Sequence, residues 1–385
     1  MMSVHILLTA DNHLDPPAVK YGPKRYERKR DFLRCFEATV NYALKDRPDL
    51  FLIAGDLFDH VQPRNPTRAR VMSCFRSLYE KGIRVFMISG HHDTPRSREQ
   101  GSSPLSVYGR SKYVTYFQDT HQLTSVNLQI RGLNVMISGI SYNPTISWET
   151  DPLQNIKLTP SGDINILMIH YPIKGFKGYY GQEPIIQPRS IPEDIQLVAA
   201  GHLHKHQRSV IKDVDVVYPG STERVRFLEE SEDKGFVWIE LDKTGVTSLD
   251  FIRTPARELR TVEFVIPKDE NINDLLKKEL SKIENPELVL RVKLKGVVDV
   301  KHLATYRRSE ILSFAYNRFF ALVLDESEMQ IQRAEPIRPL PRTTPLKELR
   351  RYFQTQMEKA GEEEKAMLLE ALELCERKLQ EAGAW

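Results

Sequence analysis

The sequence predicts an α/β protein whose core is two β-sheets packed face to face as a sandwich, with flanking helices. Two observations predict this class. Apolar strand patterns recur through the first 255 residues, and the early ones alternate with amphipathic helix patterns, as in parallel sheets. A chain of 385 residues, 41% of them hydrophobic, can bury a core in each of about two or three domains.

The first sheet is predicted from strands that alternate with helices. Residues 6–10 form an apolar strand pattern, residues 26–44 place apolar side chains on one helical face, and residues 50–54 form a second strand pattern. A helix over residues 63–79 and a strand over residues 85–88 follow. This alternation is typical of parallel strands that are joined by helices.

The second part of the sandwich is predicted to be richer in strands. Alternating segments within residues 123–140, separated by Arg131-Gly132, predict an antiparallel hairpin. Further strands are predicted at residues 164–169, 196–200, 207–211, 214–218, 236–241 and 247–253. The polar residues 94–116 are expected to form surface loop and helix.

The composition changes near Pro255, and we expect a domain boundary there. The chain then divides into the sandwich (1–255), a small α+β domain (256–335), a proline-rich linker (336–345) and a helical pair (346–385). In the α+β domain, strands are expected at residues 261–266, 288–294 and 328–333, and helices at residues 272–283 and 300–319.

The last predicted helix has an apolar stripe. Leu368, Leu372, Cys375 and Leu379 recur at helical spacing and line one face. Two helices alone cannot bury such a face, so we interpret Leu368, Leu372 and Leu379 as binding a partner protein. The alternative is that this face packs back onto its own domain.

Composition excludes several classes of protein. Cys35, Cys74 and Cys375 lie far apart, which disfavours both a disulfide framework and a cysteine metal site. No stretch approaches the ~20 apolar residues that span a bilayer, so we expect a cytoplasmic protein that contacts no membrane. A net charge of +3 does not by itself indicate a polyanion partner, but basic residues crowd residues 20–30.

Five strand patterns end in side chains that bind metals or move protons. They are Asp11-Asn12-His13, Gly55-Asp56-Leu57-Phe58-Asp59, Gly90-His91-His92-Asp93, His170 and Gly201-His202-Leu203-His204. A single Asp-x-His or His-x-His is more often an ordinary surface or core pair. Five such motifs, in order and each directly after a strand, predict a shared metal site.

The residue types suit two divalent ions. A carboxylate can bridge two cations that repel each other, and Asp56 is the best candidate for this role. We assign Asp11, His13 and His204 to one ion, and His91, His170 and His202 to the other. Mixed imidazole and carboxylate ligands favour Mn²⁺, Zn²⁺ or Fe²⁺ over Mg²⁺.

Such an ion pair suits the hydrolysis of phosphoesters. His92 is left over as a catalytic residue that could stabilise the transition state or protonate the leaving oxygen. Asp93 would form a hydrogen bond that orients His92 or a ligand.

With these motifs, the sequence resembles the calcineurin-like metallophosphoesterases. The segment 218–224, with Glu229 and Lys234-Gly235-Phe236, is similar to the end of the nuclease domain in the nuclease subunit of the DNA double-strand-break repair complex. The resemblance implies a Mn²⁺-dependent homodimeric nuclease, with 3′-to-5′ exonuclease activity on duplex DNA and endonuclease activity on single strands. It also implies that residues 256–335 form a capping domain that holds DNA, and that the terminal helices dock on the coiled coil of a large ABC-type ATPase.

The sequence departs from this family at one ligand, because His91 stands where the family usually has Asn. A nitrogen ligand in place of an amide oxygen is expected to favour imidazole-preferring ions or to weaken the second ion site. For DNA contacts, the predicted residues are Lys20, Lys24, Arg25, Arg28, Arg30, Arg64, Arg96 and Lys174. Each of them could equally be a plain solubilising charge. Residues 63–79 and 94–116 are the predicted dimer surface, on the resemblance alone.

Two other functions are consistent with the sequence. One is a phosphodiesterase or phosphatase for small substrates, although such a reaction would not need the last 130 or so residues. The other is a catalytically weak scaffold whose second ion site is impaired by His91 and which mainly binds the ATPase.

Overall fold

The computed structural model describes residues 3–178, 181–266, 271–299, 303–332 and 344–382. The strands in chain order are β1 Val4–Thr9, β2 Leu50–Ala54, β3 Arg84–Ile88, β4 Val114–Tyr116, β5 Thr124–Ile130, β6 Leu133–Gly139, β7 Ile164–Ile169, β8 Leu197–Ala200, β9 Gln207–Ile211, β10 Val214–Tyr218, β11 Gly235–Asp242, β12 Gly245–Arg253, β13 Leu259–Val265, β14 Asn285–Asp299 and β15 Phe319–Gln332. The described α-helices are α1 Arg25–Asp46, α2 Asn65–Glu80, α3 Ser106–Gly109, α4 Ile272–Ser281, α5 Arg308–Ala315, α6 Pro345–Met357 and α7 Glu362–Glu381.

Two six-stranded sheets form the centre of the protein, as the sequence predicts. The first has the order β12-β11-β1-β2-β3-β4, and the second has the order β5-β6-β7-β8-β10-β9. Strands β1 to β4 run parallel, as do β6, β7, β8 and β10. Antiparallel strands complete both sheets, and β5 and β6 form the predicted hairpin. The expectation of an α/β sandwich is confirmed.

Alternation along the strands divides the apolar side chains between two layers. Ile6 and Leu8 face the core between the sheets, where they meet Ile166 of the second sheet. Leu7 points the opposite way and packs with Phe36 of α1. Each such side chain contributes roughly 1.5–3 kcal/mol when fully buried.

The outer face of the second sheet is covered differently from the sequence expectation. Leu167 and Val198 on this face pack against Ile173, Ile186 and Ile191, which all lie in the segment that connects β7 to β8. Flanking α-helices therefore cover the first sheet, whereas connecting segments cover this part of the second. Irregular segments lack the hydrophobic periodicity of helices and strands, so their sequence does not predict such packing.

The α+β region contains a third, three-stranded sheet of order β13-β14-β15. Of the helix expected over residues 300–319, the structure shows α5 and one helical residue at Leu303, while residues 300–302 lie outside the described residues. The strand expected from residue 328 begins already at Phe319. A short apolar run such as residues 319–324 has no periodicity that distinguishes a strand from a helix. Tertiary packing therefore determines which of the two it forms.

Met1–Gly296 and Thr305–Gln330 form one compact unit, which holds the two large sheets and most of the third. The second unit comprises Val297–Ala304 and Ile331–Trp385. The domain boundaries predicted from the sequence stay predictions, and residues 336–343 of the expected linker lie outside the described residues. In the described parts of the chain, no helix is sufficiently long and apolar to cross a membrane.

In the second unit, α6 packs against α7, and Arg350 Nε lies 2.6 Å from a carboxylate oxygen of Glu376. The predicted partner-binding residues Leu368, Leu372 and Leu379 are half-buried within the helical pair. Other apolar side chains of α7 are more exposed, namely Met367, Leu369 and Leu374. The exposed apolar surface of α7 thus lies mainly beside the stripe that the sequence singled out.

Candidate metal centre

The predicted ligands follow the carboxyl ends of five strands. Asp11 and His13 follow β1, Asp56 follows β2, His91 follows β3, His170 follows β7, and His202 and His204 follow β8. The structure brings all of them together. The three residues of each predicted ion site, His91–His170–His202 and Asp11–His13–His204, offer ligand atoms that lie within 4.8 Å of one another.

Asp56 lies between the two groups. Its carboxylate joins one cluster with Asp11 and His170, and another with His13 and His92. Asp56 Oδ2 is 3.0 Å from His91 Nδ1 and 3.2 Å from His170 Nε2. This central place suits the bridging role that the sequence predicts, and the ligand roles themselves stay predictions.

The turns that present these residues have unusual backbone geometry. Asp11, His13, Asp56 and His202 all have positive φ, at 50°, 45°, 49° and 94°. Non-glycine residues in such conformations cost about 1–3 kcal/mol each and persist only where the surroundings impose them. At Gly201 a Cβ atom would lie 1.9 Å from the carbonyl oxygen of Ala54, so only glycine allows these two turns to approach so closely.

Several buried atoms of the centre have no hydrogen-bond partner within the described chain. They include Asp56 Oδ2, His91 Nδ1, His170 Nε2 and His202 Nδ1. A buried polar atom without a partner costs about 1–3 kcal/mol, which divalent cations would recover as ligand bonds. The donor set of imidazole nitrogens and carboxylate oxygens therefore fits a transition-metal centre.

The other ring nitrogen of most of these histidines has a partner. His170 Nδ1 lies 2.8 Å from the Ala54 carbonyl oxygen, and His204 Nδ1 lies 2.8 Å from Glu229 Oε1. His13 Nδ1 lies 3.1 Å from Asp59 Oδ1. Such contacts select the tautomer and orient the ring.

Three carboxylates in this surrounding layer were not predicted as site residues, namely Asp59, Glu183 and Glu229. Asp59 could have been found, because it belongs to the motif that carries Asp56. Glu229 appears only within the family resemblance. Glu183, whose carboxylate lies 2.7 Å from His202 Nε2, belongs to no motif.

Charges within the centre shift the pKa values of two histidines upward. Burial alone lowers the pKa of His13, but its hydrogen bond to Asp59 and the nearby carboxylates outweigh burial and raise it to about 9. Burial also lowers the pKa of His170, but the charge of Asp56 and the contact with its carboxylate outweigh burial and raise it to about 9. His91 and His170 hold the pKa of the Asp56 carboxyl well below its usual range despite its burial.

His92 has the environment of a neutral imidazole. Burial, together with the charges of His13 and His91, lowers its pKa to about 4, although Asp56 works against this. Its Nδ1 donates a hydrogen bond of 2.8 Å to the Asp59 carbonyl oxygen. The ring lines a cleft of about 210 Å³ together with His91, His202 and His204.

The sequence leaves two roles open for Asp93, orienting His92 or orienting a ligand, and its hydrogen bonds fit the second. Its carboxylate accepts hydrogen bonds from the backbone N–H groups of Leu57 (2.9 Å) and Gly90 (2.7 Å). It therefore holds the two turns after β2 and β3 together. Burial and the charge of Asp56 raise the pKa of Asp93 to about 8.

Arg28 is not a surface residue, so its predicted contact with DNA is wrong. Its side chain is buried and lies 3.2 Å from Asp31 and 3.3 Å from Glu223. Arg257 binds the same Asp31 through Nε at 2.6 Å and Nη2 at 2.9 Å. We call Arg28, Asp31, Glu223 and Arg257 the Arg257 cluster. On a helix, a surface position and a buried one can both carry Arg, and the sequence did not distinguish them.

The other predicted DNA-binding residues remain accessible. Lys20, Arg25, Arg30, Arg64, Arg96 and Lys174 are exposed, and Lys24 is half-buried. Arg64 is already paired with the buried Asp15, with Nε at 2.8 Å from its carboxylate. The binding role of these residues stays a prediction.

The fold and this site define the class of the protein. Residues 4–206 match the calcineurin-like phosphoesterase family, and the chain belongs to that family. This confirms the resemblance noted in the sequence. It is therefore a phosphoesterase, a class of hydrolase whose members bind divalent metals.

Among characterised proteins, the chain is similar to several named DNA double-strand break repair protein Mre11. The identity is 27% to that of Methanopyrus kandleri, over 61% of this chain and 55% of that protein. It is 28% to that of Methanocaldococcus jannaschii, over 72% of this chain and 73% of that protein. The protein of Saccharolobus solfataricus is 25% identical over 97% of this chain and 95% of its own length.

Solved structures give a weaker likeness. A dimetal phosphatase from Danio rerio is 10% identical, with a TM-score of 0.39 over 65% of this chain and 99% of that one. A putative 5′-nucleotidase from Staphylococcus aureus is 11% identical, with a TM-score of 0.37 over 66% of this chain and 54% of that one. At such scores these structures carry no argument about function.

Proposed function

We propose that the protein is a metal-dependent DNA nuclease that processes DNA ends in double-strand-break repair. The observation that carries this proposal is the cluster of seven ligand-type side chains, four of them buried, with Asp56 Oδ2 within 3.2 Å of His91 Nδ1 and His170 Nε2. The similarity of the chain to the Mre11 proteins supports DNA as the substrate. The proposed reactions are 3′-to-5′ degradation of duplex DNA and endonucleolytic cleavage of single strands.

Two Mn²⁺ ions per subunit are the proposed cofactors, with Zn²⁺ or Fe²⁺ as alternatives. Asp11, His13 and His204 would hold one ion, His91, His170 and His202 the other, with Asp56 shared. When bound, the ions supply a water of lowered pKa and neutralise phosphate charge. The protein's own contribution is to hold the ligand atoms rigidly, through the strained turns and the contacts of the outward ring nitrogens.

His92 is proposed to act on the substrate directly. With its Nδ1 proton directed at the Asp59 carbonyl, the ring presents Nε2 to the cleft. At neutral pH the ring is uncharged, so Nε2 first accepts a proton, and the negative charge of a bound phosphate favours this by raising the pKa of His92. The protonated ring can then stabilise the transition state or donate to the leaving oxygen, which is worth about 10²–10⁴-fold in rate.

The size of the cleft favours a polymer over a small substrate. A volume of about 210 Å³ lies below the ~300–1,000 Å³ of pockets that enclose small ligands. A single phosphodiester can enter such a cleft while the rest of a nucleic acid lies outside it. Exposed Lys20, Arg25 and Arg30 are proposed to contact the DNA backbone there, without reading sequence.

The remaining parts of the chain are proposed to serve assembly. The α+β region would cap bound DNA, and α6 and α7 would dock on a large ABC-type ATPase with a coiled coil. A homodimer formed through α2 and residues 94–116 would place two sites on one DNA molecule. Such an enzyme would act in the cytoplasm on nucleoid DNA.

The test is degradation of linear duplex DNA by the full chain, with and without added Mn²⁺, in parallel with hydrolysis of a chromogenic phosphodiester. A DNA nuclease should degrade the DNA only with the metal. Hydrolysis of the small ester without DNA degradation would indicate a small-substrate enzyme. Absence of both activities, with ATPase binding retained, would indicate the scaffold.

A further inference from the structure

His202, one of the proposed ligands, contacts a carboxylate that no sequence motif predicts. Glu183 Oε2 lies 2.7 Å from His202 Nε2, and both side chains are largely buried, with 19% and 12% of their surfaces exposed. The other nitrogen of that ring, His202 Nδ1, is buried and has no hydrogen-bond partner in the described chain. The ring therefore has one nitrogen held by a carboxylate and one directed into the centre.

Glu183 lies on the segment between β7 and β8, and this segment is held at points that do not involve His202. Near its base, Lys174 N–H donates to the Ile186 carbonyl, and Ile186 N–H donates to the Pro172 carbonyl, each at 2.9 Å. Three residues after Lys174, the backbone of Lys177 forms two hydrogen bonds with the Gln207 side chain, at 3.0 and 2.7 Å. The Glu183–His202 contact is thus not needed to hold the segment in place.

We propose that Glu183 is a positioning residue for the metal centre, which holds His202 with Nδ1 as its ligand atom. The carboxylate accepts the Nε2–H hydrogen bond and so leaves the Nδ1 lone pair for the cation. It also restrains rotation of the ring and increases the basicity of Nδ1. This inference rests on the proposed metal centre, and it assigns the role to a residue outside every motif of the sequence.

The neighbouring ligand shows the same arrangement. His204 Nδ1 lies 2.8 Å from Glu229, on the side away from His13, whose Nε2 is 3.1 Å from His204 Nε2. Glu229 also pairs with the buried Lys234 at 2.8 Å. The two histidines of one motif therefore each contact a carboxylate from a different part of the chain. Glu183 is the better one to test, because Glu229 also pairs with Lys234, so replacing Glu229 would disturb a second contact.

Metal binding to the full chain tests the role, with Co²⁺ and Mn²⁺ titrated into metal-depleted protein. Binding is followed by calorimetry and by the visible absorption of Co²⁺, which reports ligand geometry. The variants are Glu183→Ala, which removes the contact, and Glu183→Gln, whose amide oxygen can still accept the Nε2–H. Glu193→Gln is the matched control, because Glu193 lies in the same connecting segment, is 80% exposed and loses the same charge.

In Glu183→Ala we expect one of the two ions to bind about 10–100-fold more weakly with an altered Co²⁺ spectrum, and the other ion to bind as before. Glu183→Gln should recover most of the loss, and Glu193→Gln should match the unaltered protein. A purely structural role for Glu183 would lower stability without changing the spectrum of bound Co²⁺.

Unchanged affinities in Glu183→Ala, or equal weakening of both ions, would overturn the inference. If the unaltered chain bound no ions, the metal centre and this inference would fall together. If it bound two ions and showed the Glu183 effect but cleaved no DNA, only the nuclease proposal would fail.

Discussion

The protein buries two clusters of charged side chains, and they differ in whether their carboxylates accept hydrogen bonds from the opposite charges. Both clusters contain buried atoms without a partner in the described chain, but in the Arg257 cluster Arg28 Nε is the one such atom. In the Arg257 cluster, both Asp31 oxygens accept hydrogen bonds from Arg257, and Glu223 accepts from the Arg257 backbone N–H at 3.0 and 3.2 Å. In the candidate metal centre, Asp56 Oδ2 lies 3.0 Å from His91 Nδ1 and 3.2 Å from His170 Nε2, but none of these three atoms forms a hydrogen bond within the described chain.

This difference separates a structural ion cluster from a binding site. Opposite charges in the Arg257 cluster neutralise one another, and they connect α1 with the start of the α+β region. The candidate metal centre presents donor atoms that form no hydrogen bonds with one another, so it is suited to hold a cation. Burial and charge alone do not distinguish the Arg257 cluster from the candidate metal centre. The hydrogen bonds that the carboxylates of each cluster accept do distinguish them.

The strongest test of the comparison removes the shared carboxylate. Asp56→Asn should abolish binding of at least one ion and reduce DNA cleavage on the order of 10³-fold or more, because the amide cannot bridge two cations as an anion. Calorimetric metal counting and the nuclease assay measure this. Unfolding of the metal-free variant should stay cooperative, which separates lost binding from lost structure. Two ions of unaltered affinity in this variant would refute the proposed centre.

The Arg257 cluster should respond in the opposite way, through stability. Arg28→Ala leaves buried carboxylates without their cation and should lower the free energy of unfolding by about 3–5 kcal/mol. The exposed neighbour Arg30 is the matched control, and Arg30→Ala should change stability by no more than about 0.5 kcal/mol. Denaturant unfolding measures both values.

The same pair of variants separates the structural role of Arg28 from a DNA contact. Arg30→Ala should weaken DNA binding and reduce its salt dependence by about one charge, whereas folded Arg28→Ala should bind DNA normally. Equal stability of the two variants, with weaker DNA binding by Arg28→Ala, would restore the original prediction.

The pH dependence should have opposite signs with and without metal. Since the pKa values of His13 and His170 are raised from 6.5 to about 9, their protonated forms stabilise the metal-free chain fully below pH 6.5. That stabilisation is lost as pH rises through 9, and Asp93, whose pKa is raised to about 8, acts in the same direction. Metal ions must displace the histidine protons, so metal affinity should rise by up to about two log units per pH unit over this range.

Thermal unfolding of the metal-free chain from pH 6.5 to 9, and calorimetry in buffers of different ionisation enthalpy, measure these effects. The calorimetry should show about two protons released at neutral pH. Proton-independent metal binding would mean that these histidines are not ligands.

The smallest expected effect concerns His91. His91→Asn replaces a nitrogen donor at the second ion site with an amide oxygen and should shift the preference between Zn²⁺ and Mn²⁺ toward Mn²⁺ by roughly tenfold. Competition between the two ions measures the shift. If neither the metal preference nor the nuclease rate changes, His91 is no determinant of the second site.

The sequence by itself determined the strands that carry the site and the residues at their ends. Local patterns suffice for this, because a buried parallel strand is a short apolar run and the turn after it contributes the ligands. Asp11, Asp56 and His170 were identified in this way, and the structure brings them together.

Only the tertiary structure decided which groups surround the ligands and which charges are buried. Arg257 reaches Asp31 across 226 positions of sequence, and Arg28 reaches Glu223 across 195. Glu183 lies in the segment before β8, yet its carboxylate meets His202, which follows β8. Such contacts depend on packing between distant segments and leave no local periodicity, so a sequence pattern cannot contain them.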